Sequence, residues 1–220
     1  MPLRRGGIYG RSVPVQPQQD NTMNTIPSAL IASMLPCAGK NNIRYYLNSV
    51  FIEPRGGKAI AVSTDEYVMC VAHTALEWDL GAIIIPRDVC EKLAKMKGDI
   101  VFSSVGEGRR FKATCGSSTI EFAAIDDRFP RWREIVPGQT EQAPATFAPG
   151  ILGQVIKSAQ VFAKEFGGKM TGITLRPIGE RAMLTGLAGI IDARIERVNY
   201  VVAPRRDTDL DAIDPEAARA

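Results

Sequence analysis

At 220 residues, 45% of them hydrophobic and 23% charged, the chain can hold one large domain or two small ones around a buried core, with the composition of a soluble globular protein. No run of eighteen apolar residues marks a membrane span, and Met1–Gly7 carries arginines with no apolar stretch behind them, so no secretory signal is read and a cytoplasmic location is expected. The net charge is +3 but uneven: residues 207–220 hold five acids and one base, residues 1–22 three bases and one acid, and the body is left at +5. A mildly basic body permits contact with nucleic acid without requiring it. The four cysteines form no CxxC pair and His73 is the single histidine. Buried reduced thiols are therefore expected rather than a zinc site, and no cofactor motif is present.

Residues 1–22, rich in Gly, Pro, Gln and Arg without periodicity, read as a disordered arm. A first helix is predicted from Pro27, because a proline at a helix start loses no hydrogen bond. Leu30, Ile31, Met34 and Leu35 give it a buried stripe, and Pro36 and Gly39 end it. Strands follow near 44–53, 58–64 and 67–74, the first two joined at a Gly56-Gly57 hairpin turn. Tyr45 and Tyr46, as strand neighbours, should face opposite ways.

The pattern then repeats. Ile83-Ile84-Ile85 reads as a strand, and Pro86 opens a second helix with Val89, Cys90, Leu93 and Met96 inward. Strands are predicted near 99–104, 109–115 and 118–124. The segment from Ile125 to Pro137 reads as a connector that packs down, and 138–145 as a polar linker. A third helix starts at Pro149, with Leu152, Val155, Ile156 and Ala159 inward and Gly167-Gly168 at its C-terminal cap. Strands near 171–178, 181–187 and 190–203 complete it. Counted from each proline, position +3 is Leu30, Val89 and Leu152, and position +7 is Met34, Leu93 and Ile156. One helix-plus-three-strand unit is thus used three times. A fourth start at Val202-Ala203-Pro204 has Asp207 and Asp211 in place of the apolar stripe and ends as an acidic tail, 207–220.

Four segments carry a specific resemblance: Arg44-Tyr45-Tyr46-Leu47-Asn48, Val62-Ser63-Thr64-Asp65, Ile84-Ile85-Pro86-Arg87, and Ile125-Asp126-Asp127-Arg128-Phe129-Pro130 through Ile135-Val136-Pro137. In order and spacing they resemble the middle domain of the bacterial DNA polymerase III beta sliding clamp. Residues 23–137 look like one complete clamp domain of two units. Residues 146–206 look like half of another, with Tyr200–Pro204 also similar to the end of the clamp's last domain. The chain is far shorter than a three-domain clamp, which implies a compact, phage- or plasmid-borne relative. The resemblance implies an α+β DNA-clamp fold with three units per chain, helices lining a ring and sheets outside. It also implies a non-enzymatic role: encircling duplex DNA without sequence preference and tethering a DNA polymerase, with a clamp loader as a further partner.

For a weakly cationic hole, the candidate lining charges are Arg87, Lys92, Lys95 and Lys97 on the second helix, Lys157 and Lys164 on the third, and Lys40 after the first. Each taken singly is equally well a solvated helix face. Asn41, Arg44, Tyr45 and Tyr46 match clamp positions that touch DNA, and Lys169 matches a basic loop residue. The family's partner pocket, which receives short apolar peptides, maps to Thr64, Glu66, Tyr67, Val68 and Met69, to Pro130, Glu134 and Ile135, and to Val201, Ala203 and Pro204. Here the sequence departs from the family: Glu66-Tyr67-Val68-Met69 stands where the clamp has Gly-His-Arg-Leu, and Glu134 where it has a basic residue. Val68 and Met69 equally suit ordinary strand core.

With one helix about 10 Å wide per unit, twelve helices enclose a hole of roughly 28 Å and nine a hole of roughly 19 Å. Only the larger admits a hydrated duplex loosely, so a tetramer of this three-unit chain is expected. An enzyme is disfavoured because no nucleotide-binding or metalloprotease motif occurs, and Asp126-Asp127 sits on a connector. The rival reading is a decoy that keeps the fold and binds a polymerase or host clamp without encircling DNA.

Overall fold

The computed structural model describes residues 23–136, 147–178 and 182–203, without the side chains at 168–171, 175–178 and 182–185. The expected arm (1–22), linker (138–145) and acidic tail (207–220) lie outside these residues, as do Pro137 and Pro204.

The first unit begins with a short strand, β1 (Thr25–Pro27), that runs straight into helix α1 (Ser28–Met34). Pro27 caps the helix with φ −59° and ψ 135°, the extended geometry that a proline ring favours before a helix. A 3-10 turn over Leu35–Cys37 finishes α1. Strands β2 (Ser49–Arg55), β3 (Lys58–Thr64) and β4 (Val68–Glu77) follow. The β2–β3 hairpin closes through Gly56 and Gly57 at φ +59° and +77°, both left-handed, as a two-residue turn of matching twist requires.

The second unit repeats the order: β5 (Ile83–Pro86), α2 (Arg87–Leu93), β6 (Asp99–Ser104), β7 (Arg110–Cys115) and β8 (Ser118–Ala123). The connector carries a single helical turn, α3 (Trp132–Ile135). The third unit is α4 (Pro149–Phe166), β9 (Gly167–Ile178), β10 (Ala182–Ile190) and β11 (Ile195–Val202). No helix among the described residues is long and apolar enough to cross a membrane.

The strands form two antiparallel sheets, ordered β1-β6-β7-β8 and β5-β2-β3-β4-β11-β10-β9. Units one and two exchange their leading strands: β1 lies along β6, with Ile26 opposite Ile100, and β5 along β2, with Phe51 opposite Ile84. Unit three joins through its last strand, β11, which pairs with β4 so that Val201 faces Met69 and Tyr200 faces Cys70. Its neighbour is therefore the first unit, not the one that precedes it in sequence.

Helices occupy one side of this assembly. Leu30, Ile31 and Met34 of α1, Val89, Cys90 and Leu93 of α2, and Val155, Ala159, Phe162 and Phe166 of α4 share a core with the inward residues of both sheets. On the opposite face of the larger sheet, Phe51, Val62, Met69, Val71, Ile84 and Val201 pack under Trp132, Phe129 and Ile125 of the connector. Both faces of β2–β4 are thus covered, so these strands read as apolar runs without alternation. The smaller sheet is covered on one side, and β6 alternates buried Ile100 and Phe102 with exposed neighbours.

Three expectations are corrected. Tyr45–Leu47 is a 3-10 turn rather than strand, because Asn48 and Asn42 fold the segment back on itself, so strand alternation does not govern Tyr45 and Tyr46. Helix α4 is capped by Ala148, one residue before its proline, which shifts its register by one. Val155, not Ile156, then takes the buried place of Met34 and Leu93, and Ile156 is 48% exposed. Gly167 caps α4 in an extended conformation and begins β9, which puts Lys169 in a strand rather than a loop.

Candidate functional site

The junction between β4 and β11 builds a cavity on the connector side of the sheet. Asp65 shapes the turn that leads into it from the helix side. Its Oδ1 accepts hydrogen bonds from the Tyr67 and Val68 backbone N–H groups, both 2.9 Å, and fixes the turn into β4. Its Oδ2 accepts one from Gln154 Nε2 of α4 at 2.8 Å, which ties that turn to unit three. Ala203 N–H donates to Tyr67 O at 2.8 Å and extends the β4–β11 junction past the strand end. Across the sheet, in the helix-side core, Ser158 Oγ of α4 lies 2.6 Å from Ser33 O of α1 and 3.0 Å from Tyr200 Oη of β11. Burial pushes the Tyr200 phenol far above its ordinary range, so this polar group stays neutral and locks α4 to α1 and β11.

The cavity measures about 240 Å³ and is lined by Thr64, Glu66, Tyr67, Val68, Met69, Pro130, Ile135, Val201 and Ala203, together with Arg44, Tyr46 and Leu47. Nine of the eleven expected pocket residues thus meet at one place. Tyr67 and Ile135 stand at its mouth, 60% and 54% exposed, while Met69 and Val201 lie buried on its floor. Val68 is buried too and belongs to the helix-side core. Glu134 lines a neighbouring cavity of about 480 Å³ with Phe51, Phe129 and Trp132, and lies 3.4 Å from Arg131 as an exposed ion pair. Pro204 is outside the described residues.

Two residues expected to touch DNA, Arg44 and Tyr46, also line this pocket. The loop that carries them is strapped to Glu66. Asn42 Nδ2 donates to Glu66 Oε1 at 3.0 Å, and Arg44 Nη1 lies 3.8 Å from the same oxygen. Leu47 is a lining residue that the sequence reading missed; its place between Tyr46 and Asn48 was the available signal. Tyr45 turns outward beside Asp127, whose carboxylate holds the phenol above its ordinary value. Asn41 sits next to this loop at φ +58°, a left-handed conformation that asparagine tolerates.

Six of the expected lining cations fall in two grooves on the helix side, one toward each end of α1. Lys95 and Lys97 after α2 and Lys164 of α4 line one groove, with Arg194 as an additional member. Lys40, Lys157 and Arg87 line the other. Arg87 is not a free charge. Its Nη1 donates to Ala38 O and Gly39 O, both at 2.9 Å, and to Leu35 O at 3.3 Å, while Nε donates to Glu91. With its side chain 21% exposed, it caps the end of α1 rather than facing solvent. Arg194 is similarly committed, bonded to Asp192 and paired with Asp99. Lys92 stands 3.8 Å from Asp88 and Lys164 3.0 Å from Glu165 as exposed ion pairs. Lys40, Lys95, Lys97 and Lys157 are exposed. The Lys169 side chain is not described. Cys37, Cys70 and Cys90 are buried and free, and burial pushes the Cys90 thiol up to about 12, so it is unreactive near neutral pH.

No family model matches the chain. It is 26% identical over 159 residues to the beta sliding clamp of Salmonella typhimurium, covering 69% of this chain and 42% of that protein. It is 28% identical over 103 residues to the beta sliding clamp of Pseudomonas aeruginosa, covering 44% and 28%. The chain therefore spans less than half the length of these curated relatives. The crystal structure of the DNA polymerase sliding clamp from Pseudomonas aeruginosa superposes with a TM-score of 0.55 over 83% of this chain and 66% of that one, at 15% identity. The corresponding Caulobacter crescentus structure gives 0.56 over 83% and 65%, at 14% identity. In sequence the chain is similar to bacterial beta sliding clamps, and its fold is the sliding-clamp fold.

Proposed function

We propose that the protein is a DNA sliding clamp: a closed ring of copies that surrounds duplex DNA and tethers a replicative polymerase through the β4–β11 pocket. The observation that supports this reading most is the division of the molecule into two faces. The three unit helices α1, α2 and α4 lie on one side of the sheets, with Lys157 and Lys164 on α4 and Lys40, Lys95 and Lys97 in the turns after α1 and α2 exposed on that side. The apolar pocket and the connector lie on the other. A ring built this way turns dispersed, solvated lysines toward DNA, which steer a polyanion without gripping any one phosphate. It turns the pocket outward, where an apolar peptide from a polymerase or a loader can enter. The role involves no bond chemistry.

Ring closure uses strand edges. Within the chain, unit one meets unit three by pairing the last strand of each, β4 with β11. The last strand of unit two, β8, is the end of its sheet among the described residues, and an edge of this kind invites pairing with another chain. Four chains of three units give the twelve helices that a loosely held duplex requires. The mass of the assembly by light scattering tests this. Four chains are expected, and a monomer at working concentration would refute the ring and leave the decoy reading in its place.

A further inference from the structure

We propose that the third unit is half of a clamp domain which a second copy of the chain completes, the two third units exchanging their leading segments about a two-fold axis. The chain contains the finished version of this arrangement. In units one and two each leading strand crosses to the sister unit, and the register is the same both times: the capping Pro27 lies opposite Asp99, the first residue of β6, and the capping Pro86 opposite Ser49, the first residue of β2. The third unit has the same parts. Phe147 and Ala148 lead into α4, and β9 begins at Gly167. Yet β9 is the last strand of its sheet, and residues 147–148 join no strand among those described. The shared register puts Ala148 of one copy opposite Gly167 of the other.

Burial supports the same conclusion. Counted from the cap, one residue before it and three and four after it are Ile26, Leu30 and Ile31 in unit one, and Ile85, Val89 and Cys90 in unit two, all buried. The equivalents in unit three are Phe147, Ile151 and Leu152, and all three are only partly buried. Ile156, one turn beyond Leu152 on the same helix face, is 48% exposed. These apolar side chains occupy the positions that a sister unit covers elsewhere in the molecule.

The partner's orientation follows from α1 and α2. The start of each meets the end of the other: Arg87 Nη1 donates to Ala38 O and Gly39 O, and Ser28 N–H donates to Gly98 O. Two α4 helices packed likewise run antiparallel, cross near Gly153, and set Ile156 of one beside Leu152 of the other. One bond is missing from the copy. Pro149 stands where Ser28 and Arg87 donate backbone N–H groups across to Gly98 O and Asn48 O, and proline has none to give. Two chains joined this way form three domains. Two such pairs, joined at β8, form six domains from twelve units.

The pairing rests on the fold and not on the encircling reading, so the two can fail separately. In the full-length protein, a Cβ at Gly153 meets nothing within 4 Å, so Gly153→Cys is tolerated. Under mild oxidation G153C is expected to give a disulfide-linked dimer at least ten times faster than Lys112→Cys, on the exposed face of β7. Adding Ile156→Lys, at a half-exposed position, is expected to abolish that cross-link and halve the native mass while the circular dichroism spectrum of the folded chain holds. Cross-linking no faster than at Lys112, or a native mass unmoved by I156K, would overturn the pairing. That outcome is also the one expected if another segment of the same chain fills the β9 edge. Cross-linking through Gly153 in a protein that leaves circular and linear DNA equally fast would uphold the pairing and remove the ring.

Discussion

The side-chain amide of Asn42 donates a 3.0 Å hydrogen bond to Glu66, and Glu66 receives it from a left-handed backbone at φ +90°. A non-glycine residue held there costs about 1–3 kcal/mol. The clamp pattern has glycine at this place, so the chain trades backbone ease for a carboxylate that straps the Arg44–Leu47 turn over the pocket. Glu66→Gly is therefore expected to raise unfolding free energy by about 0.5–1 kcal/mol, since the exposed bond and ion pair it loses are worth less than the strain it relieves. Amides of residues 42–47 are expected to exchange faster by hydrogen–deuterium exchange. Any loss of stability in the variant would show that the strap outweighs the strain.

Arg87 and the lysines separate structural from electrostatic roles. Arg87→Gln strips the donors from the Leu35, Ala38 and Gly39 carbonyls, which is expected to cost about 1.5–3 kcal/mol in denaturant unfolding. Lys95→Gln with Lys97→Gln, on exposed groove positions, is expected to change stability by less than about 0.5 kcal/mol. The same pair is expected to lower the slope of log affinity for duplex DNA against log salt by about 0.9 for each phosphate that is no longer neutralised. An unchanged slope would take these lysines out of the DNA-facing surface.

The pocket prediction concerns its rim. Tyr67→Ala and Ile135→Ser remove exposed apolar surface, so folding stability is expected to hold within about 0.5 kcal/mol. Affinity for a fluorescent apolar peptide from the polymerase partner, measured by anisotropy, is expected to fall about tenfold for each. Affinity equal to that of the native chain in both variants would place the peptide site elsewhere.

His73 gives the pH dependence. Burial first, and then the Arg197 and Arg55 charges, lower its imidazole to about 4. The unfolded chain takes up a proton near the ordinary 6.5 while the folded chain does not, so stability falls as pH drops from about 6.5 to 4. Discounted for the partial exposure of the ring, the effect is on the order of 1 kcal/mol. Urea unfolding at pH 7 and pH 5 is expected to show that difference in the native chain and lose it in His73→Asn. Identical pH profiles for the two proteins would contradict the assignment.

Local chemistry made much of the fold legible. Pro27 and Pro86 mark helix starts because their rings fix the entering backbone, and Gly56-Gly57 marks a hairpin because both residues must be left-handed. The connector shows itself through Phe129 and Trp132 in a charged setting. The β4–β11 junction was legible only through the clamp resemblance that grouped Met69 with Val201, and the residues did not reveal the exchange of β1 and β5 or the use of Arg87 as a cap for a helix about fifty residues earlier. The register of α4 is ambiguous in the sequence because proline suits both the cap and the first helical position, and Ala148 takes the cap. The place of Arg44 and Tyr46 on the pocket was hidden as well, because it follows from the 3-10 turn that Asn42 and Asn48 close.

The encircling ring is tested most directly by retention on topologically distinct DNA. The protein is assembled on a nicked circular plasmid, separated from free protein by gel filtration, and followed after a single linearising cut. The account predicts stable association with the circle and release from the linear molecule within the time of the column. Equal loss from both forms would contradict it.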